Sequence, residues 1–280
     1  MERGTRRDKG LNLTTGIGGN NTAPLLLTPL GLILASCGGS GSSSGSSGVS
    51  VSQDPPSSSN SSSSSTVTGN VVKGPLENAL VFLDYDSDGI QDSGEPSVYT
   101  DSDGAYSLSA SSQTYSLVAI TDDNTIDSST GTVLTGVTLK APSGSTVVTP
   151  TTTLIQEGDL TADAVAEVLG LPEGIDPLTF NPFATGVDAA KALEMEKISQ
   201  QVMNVVNSFA AASEGAGASA TDSFKASISS FVEVIKTKSN SSSKQLDLTN
   251  STDLQLIQTE VTSRAASLSG IDTTAFNSLA

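Results

Sequence analysis

The sequence predicts a multidomain protein, with a small all-β sandwich followed by a loose all-α helical bundle, behind an export signal and a disordered tether. Three observations predict it. Between Thr66 and Pro142, short β-prone runs alternate with turn residues. After Pro142, apolar residues recur at helical spacing. Ahead of both, residues 40–65 hold 16 serines among Gly, Pro, Asn and Gln, with almost nothing to bury. The expected boundaries are 1–36 for the signal, 37–65 for the tether, 66–142 for the β-module and 143–280 for the helices.

The N-terminus has the order of a secretory signal. Arg3, Arg6, Arg7 and Lys9 are basic, and Ala23 to Ala35 is apolar. That run of about thirteen residues is too short to cross a hydrocarbon core of roughly 30 Å as a helix. It closes on Leu34-Ala35-Ser36-Cys37-Gly38-Gly39, which holds the only cysteine. These residues resemble the lipobox of a bacterial lipoprotein. The resemblance implies cleavage before Cys37 and acyl chains on that residue, so the membrane is an expected partner through the anchor. The residue after the cysteine is Gly38, not the Asp that favours inner-membrane retention, and the resemblance therefore implies the outer membrane. As a flexible coil, the segment from Gly38 to Ser65 spans roughly 30 Å on average and about 90 Å fully extended.

Composition excludes several classes of function. With 13 Lys+Arg against 30 Asp+Glu, the formal charge is −17, which repels nucleic-acid phosphates. A single cysteine rules out an intramolecular disulfide, and the absence of histidine removes the commonest general base and zinc ligand. Gly41-Ser42-Ser43-Ser44-Gly45 satisfies G-x-S-x-G, and Ser241-Ser242-Ser243-Lys244 satisfies S-x-x-K. Both lie in polar serine runs with no histidine to activate a nucleophile, so neither is read as catalytic. The chain is read as a non-enzyme.

In the β-module the candidate strands are Val67–Lys73, Ala79–Asp84, Ala105–Ser109, Thr114–Thr121 and Gly136–Lys140. Asp101-Ser102-Asp103-Gly104 reads as a hairpin turn with Gly104 left-handed, a second cation site being the alternative for Asp101 and Asp103. Five to seven strands over about eighty residues suit a small antiparallel sandwich. Beyond Pro142, Thr149-Pro150-Thr151 starts a helix with proline in its first turn. Leu160–Leu169 follows, stopped by Gly170 and Pro172. Asp188–Ala212 is the longest helix, with Leu193, Ile198, Val202, Val205 and Phe209 as its expected stripe. Phe224, Ile228, Phe231, Val232 and Ile235 mark another, and Asn250 to Leu268 the last.

The candidate site is an acidic loop. Counted from Asp84, side-chain oxygens fall at positions 1, 3, 5, 9 and 12, which are Asp84, Asp86, Asp88, Asp92 and Glu95, and position 6 is Gly89. This is the spacing of a calcium loop, in which alternate oxygens wrap a hard cation and position 7, here Ile90, supplies only its backbone carbonyl. Ala79-Leu80-Val81-Phe82-Leu83 ahead of the loop reads as a strand, so the site is strand-borne and no EF-hand helix pair is expected.

Gly74-Pro75, Ala79 to Asp84, Gly94-Glu95-Pro96 and Thr100 to Leu108 together resemble a known family. They are similar to the calcium-binding B-type repeats of bacterial Ser-Asp-repeat surface proteins and to the related prealbumin-like (carboxypeptidase-regulatory-like) modules. The resemblance covers about 66–142 and implies a seven-strand Greek-key sandwich binding calcium. Val147-Val148-Thr149-Pro150 with Thr152-Thr153-Leu154, and then Leu169-Gly170-Leu171-Pro172 with Asp176-Pro177, resemble a helical segment that accompanies such modules in large bacterial surface proteins. The expected function is therefore structural, adhesive or assembly work at the cell surface, with a surface protein or glycan as partner. The alternative is a carbohydrate- or peptide-binding module of the envelope that uses its tyrosines. Replacing Cys37 by Ser is expected to move the exported protein from the detergent to the aqueous phase, or to leave it unprocessed, because two or three acyl chains hold a protein at a membrane far more firmly than one. Unchanged partitioning of the variant contradicts the anchor.

Overall fold

Strands form where β-prone residues alternate or run apolar between turn residues. In the computed structural model, residues 65–279 are described, and they belong to one compact unit. The signal, Cys37 and the tether as far as residue 64 lie outside the described residues. Ten strands come first. They are β1 (Ser65–Val71), β2 (Leu76–Glu77), β3 (Leu80–Asp84), β4 (Ser97–Tyr99), β5 (Ala105–Ala110), β6 (Ser116–Ile120), β7 (Ile126–Asp127), β8 (Thr132–Val133), β9 (Thr138–Pro142) and β10 (Val147–Val148). Six helices follow: α1 (Pro150–Gly158), α2 (Ala162–Leu169), α3 (Ala189–Gly215), α4 (Ala220–Ser239), α5 (Ser251–Ala265) and α6 (Thr273–Leu279). The architecture is thus a set of mostly antiparallel sheets followed by helices.

Three sheets share the strands. The largest is antiparallel with order β4-β3-β6-β9, a second has order β10-β1-β5 with β10 parallel to β1, and a small third has order β2-β7-β8. In β5 the period is two, with Tyr106, Leu108 and Ala110 buried and Ser107 and Ser109 exposed. The buried side contributes to a core with Val81, Leu83, Leu117, Ala119 and Leu139. Tyr106 crosses β1 so closely that a Cβ on Gly69 would stand 2.5 Å from the tyrosine hydroxyl and from the Thr146 carbonyl, hence glycine there. Burial pushes the Tyr106 phenol above its ordinary range, and its hydroxyl finds no hydrogen-bond partner among the described residues. It therefore cannot serve the exposed tyrosine face expected from sequence. The Asp101–Gly104 turn forms with Gly104 left-handed (φ +71°) and the Asp101 carboxylate accepting from the Asp103 and Ala105 amides, but it is not the expected hairpin, because it carries the chain from β4 in one sheet to β5 in another.

Sheet and helices meet at one edge. The outer edge of β9 would leave backbone groups unpaired. At Lys140, α1 satisfies them: the amide donates to Thr153 Oγ1 at 2.9 Å, and Thr152 Oγ1 donates to the carbonyl at 2.8 Å. Thr152 also closes a capping box with Thr149, whose side chain accepts from the Thr152 amide while the Thr149 amide donates to Thr152 Oγ1 at 2.8 Å. Pro150 occupies the first turn, where no amide is missed.

The helices pack around a second core built on Leu154, Val165, Val168, Val202, Val206, Phe231, Ile235, Ile257 and Val261. Met203 of α3 reaches instead into the sheet core, so the two cores abut. Three details of the helices differ from the sequence reading, the first being that α6 follows the helix expected to be the last. Leu193 is 71% exposed, because the inward face of α3 near its start is set by Met195 and Ile198. The fifth helix ends at Ala265, short of Leu268. Lys238 Nζ clips α4 to α5 by reaching Asp253 at 2.7 Å. Partial burial raises the Asp253 pKa, but the bonds from Lys238 and the Asp247 amide outweigh it and hold the carboxyl below its ordinary range.

Thr152→Val keeps shape but removes the hydroxyl that joins helix cap and sheet edge. It is expected to cost about 1–3 kcal/mol, seen as a lower urea midpoint with an unchanged slope.

Candidate metal centre

Asp84 ends β3 facing inward and is 1% exposed, which places a carboxylate at the boundary between sheet and loop. Burying it requires donors, and the loop supplies them. Oδ1 accepts from the Ser87 amide at 2.7 Å and Oδ2 from the Gly89 amide at 3.0 Å. To present those amides, the chain turns left-handed at Ser87 (φ +67°) and Gly89 (φ +78°). Glycine suits the second position twice over, because a Cβ there would lie 3.2 Å from Lys140 Nζ.

The next two acids repeat the device on the exposed side. Asp86 Oδ1 accepts from the Asp88 amide at 3.2 Å, and Asp88 Oδ1 from the Ile90 amide at 2.7 Å. Single carboxylate oxygens of Asp84, Asp86 and Asp88 thereby lie within 4.8 Å of one another. Exposed acidic groups gather in proteins without binding an ion, so proximity alone names none. The donor set does fit a hard cation: all three are carboxylates, and the Ile90 carbonyl accepts no hydrogen bond among the described residues.

The other two acids are placed differently. Glu95 folds back to close the loop, its Oε1 accepting from the Tyr85 amide at 2.7 Å and its Oε2 from the Asp92 amide at 2.9 Å. Asp92 and Glu95 are not in the three-carboxylate cluster. The ends of the loop are tied by β4, which pairs with β3, and by a bond from the Leu83 amide to the Pro96 carbonyl at 3.1 Å. No ion pair among the described residues reaches a loop carboxylate. Lys140, whose ammonium approaches Gly89, is engaged by Glu157 of α1 at 2.7 Å. Spacing gave no sign of Lys140, because it arrives from a strand paired through β6.

The S-x-x-K match is not assembled: Lys244 Nζ bonds Glu167 at 2.9 Å, and Ser241 Oγ bonds backbone carbonyls. Comparison of the chain with protein-family models, with curated proteins and with solved structures finds no match in any of the three.

Two acids in the cluster differ in what they do without a cation. In chelator, Asp84→Ala is expected to lower stability by about 1–3 kcal/mol, because it strands two loop amides. Exposed Asp88→Ala should change it by no more than about 0.5 kcal/mol. Urea denaturation of both variants in chelator checks the contrast.

Proposed function

We propose that this chain is an exported, lipid-anchored, non-catalytic protein whose β-module is stabilised by calcium and serves a structural, adhesive or assembly role at the cell surface. The observation that carries the calcium reading is the convergence of Asp84, Asp86 and Asp88 at the end of β3. Five carboxylates in twelve residues, none neutralised by a lysine or arginine among the described residues, repel one another until a cation sits between them. In this reading Asp92, Glu95 and the Ile90 carbonyl complete the shell, with Glu95 exchanging its amide contacts for the ion. Calcium suits the set better than magnesium because it takes six to eight oxygens in flexible geometry.

The order β4-β3-β6-β9 beside β10-β1-β5 supports reading the sheets as a Greek-key, prealbumin-like sandwich. Lipidation at Cys37 and an outer-membrane address rest on the sequence around that residue. Strands flank the loop, so the cation is expected to stiffen the fold without opening it. At calcium one hundred times its dissociation constant, linkage gives about 2.7 kcal/mol of added stability. Thermal melts of the chain with calcium and with chelator should show that gain in the wild type and lose most of it in Asp88→Ala. Identical melts of both proteins in both buffers sink the calcium reading.

A further inference from the structure

A cavity of about 240 Å³ opens where the acidic loop, β9 and α4 approach one another. It is smaller than the roughly 300–1,000 Å³ of a site for a drug-sized ligand, so it suits one end of a longer molecule.

Three features define what fits. The first is an apolar lining from Ile90, Phe224 and Ile228, with Ile90 62% exposed although its role in the loop needs only its carbonyl. The second is an open strand edge. Backbone groups two residues apart point to the same side of a strand, and at Lys140 they point to α1. Those of Thr138 therefore also point away from β6, on the side where Thr138 lines the cavity together with Thr153 and Glu157 of α1. Among the described residues, neither its amide nor its carbonyl meets a partner on that side. The third is charge. Lys140 and Glu157 on the lining neutralise each other, and Asp88 belongs to the acidic cluster. That leaves the ammonium of exposed Lys225, which makes no ion pair among the described residues.

We propose that this cavity captures the C-terminal end of another polypeptide. The incoming backbone pairs with Thr138, an apolar terminal side chain packs on Ile90, Phe224 and Ile228, and the terminal carboxylate meets Lys225. An extended peptide explains the strand edge, the apolar wall and the lone cation together. The inference does not rest on the cation, since the cavity is lined without one.

The test is fluorescence anisotropy of the full chain with four labelled peptides, Gly-Ser-Gly-Ser followed by Val, Leu, Ile or Phe, each as the free acid and as the amide. At least one acid is expected to bind with Kd below about 1 mM, its amide about tenfold more weakly. Lys225→Glu should weaken the acid at least about tenfold, and Ile90→Ser should weaken acid and amide alike. Circular dichroism melts confirm that both variants fold. The proposal is overturned if no acid binds at 1 mM, if acid and amide bind equally, or if Lys225→Glu binds like the wild type. A separate calcium titration without peptide keeps failure here distinct from failure of the cation reading.

Discussion

A sheet edge must be covered or paired, and in this chain the edge at Lys140 is covered by two threonine hydroxyls from the first turn of a helix. Much else depends on that junction. It starts α1 through the Thr149–Thr152 box and brings the helical core against the sheet core. It also sets the Lys140 side chain between Glu157 and Gly89, at the lip of the acidic loop. One residue thus touches the sheet, the helices and the candidate metal centre. No hydrogen bond from α1 among the described residues continues that cover to Thr138, which lines the neighbouring cavity.

The acidic loop is the counterpart of that junction at the other end of the sheet's pairing. Asp84 is buried at small cost because the loop amides are turned toward it, and the same turns draw Asp86 and Asp88 within reach of one ion. Backbone donors shape the loop while leaving its charge uncompensated. A scaffold of that kind is held ready for a cation, which is why binding is expected to add stability more than motion.

Sequence made visible whatever is written locally. Gly104 at the β4–β5 turn, Thr149-Pro150 at the start of α1 and Gly170 at the end of α2 all stand where turn and cap chemistry placed them, although that first turn joins two sheets and not the arms of a hairpin. The two-residue strands β2, β7, β8 and β10 left no periodic trace, because two residues cannot show a period. Parallel pairing of β10 with β1 joins segments far apart in the chain. Leu193 satisfied helical spacing yet lies outside, since spacing names a face but not what covers it. The seven-residue α6, carried by a cap at Asp272 and one buried Phe276, was too short to register. In the site, the spacing of acids named the loop but not the turn of Glu95 onto amides, nor the arrival of Lys140 from a distant strand.

The most direct measurement is a calcium titration of the chain followed by backbone amide chemical shifts. A single saturable site is expected, with the largest shifts at Ser87, Gly89 and Ile90, at Tyr85 and Asp92 as Glu95 releases them, and a smaller response at Lys140. Calcium at several millimolar that shifts none of these amides, or shifts acidic positions across the whole chain alike, would contradict a strand-borne cation site.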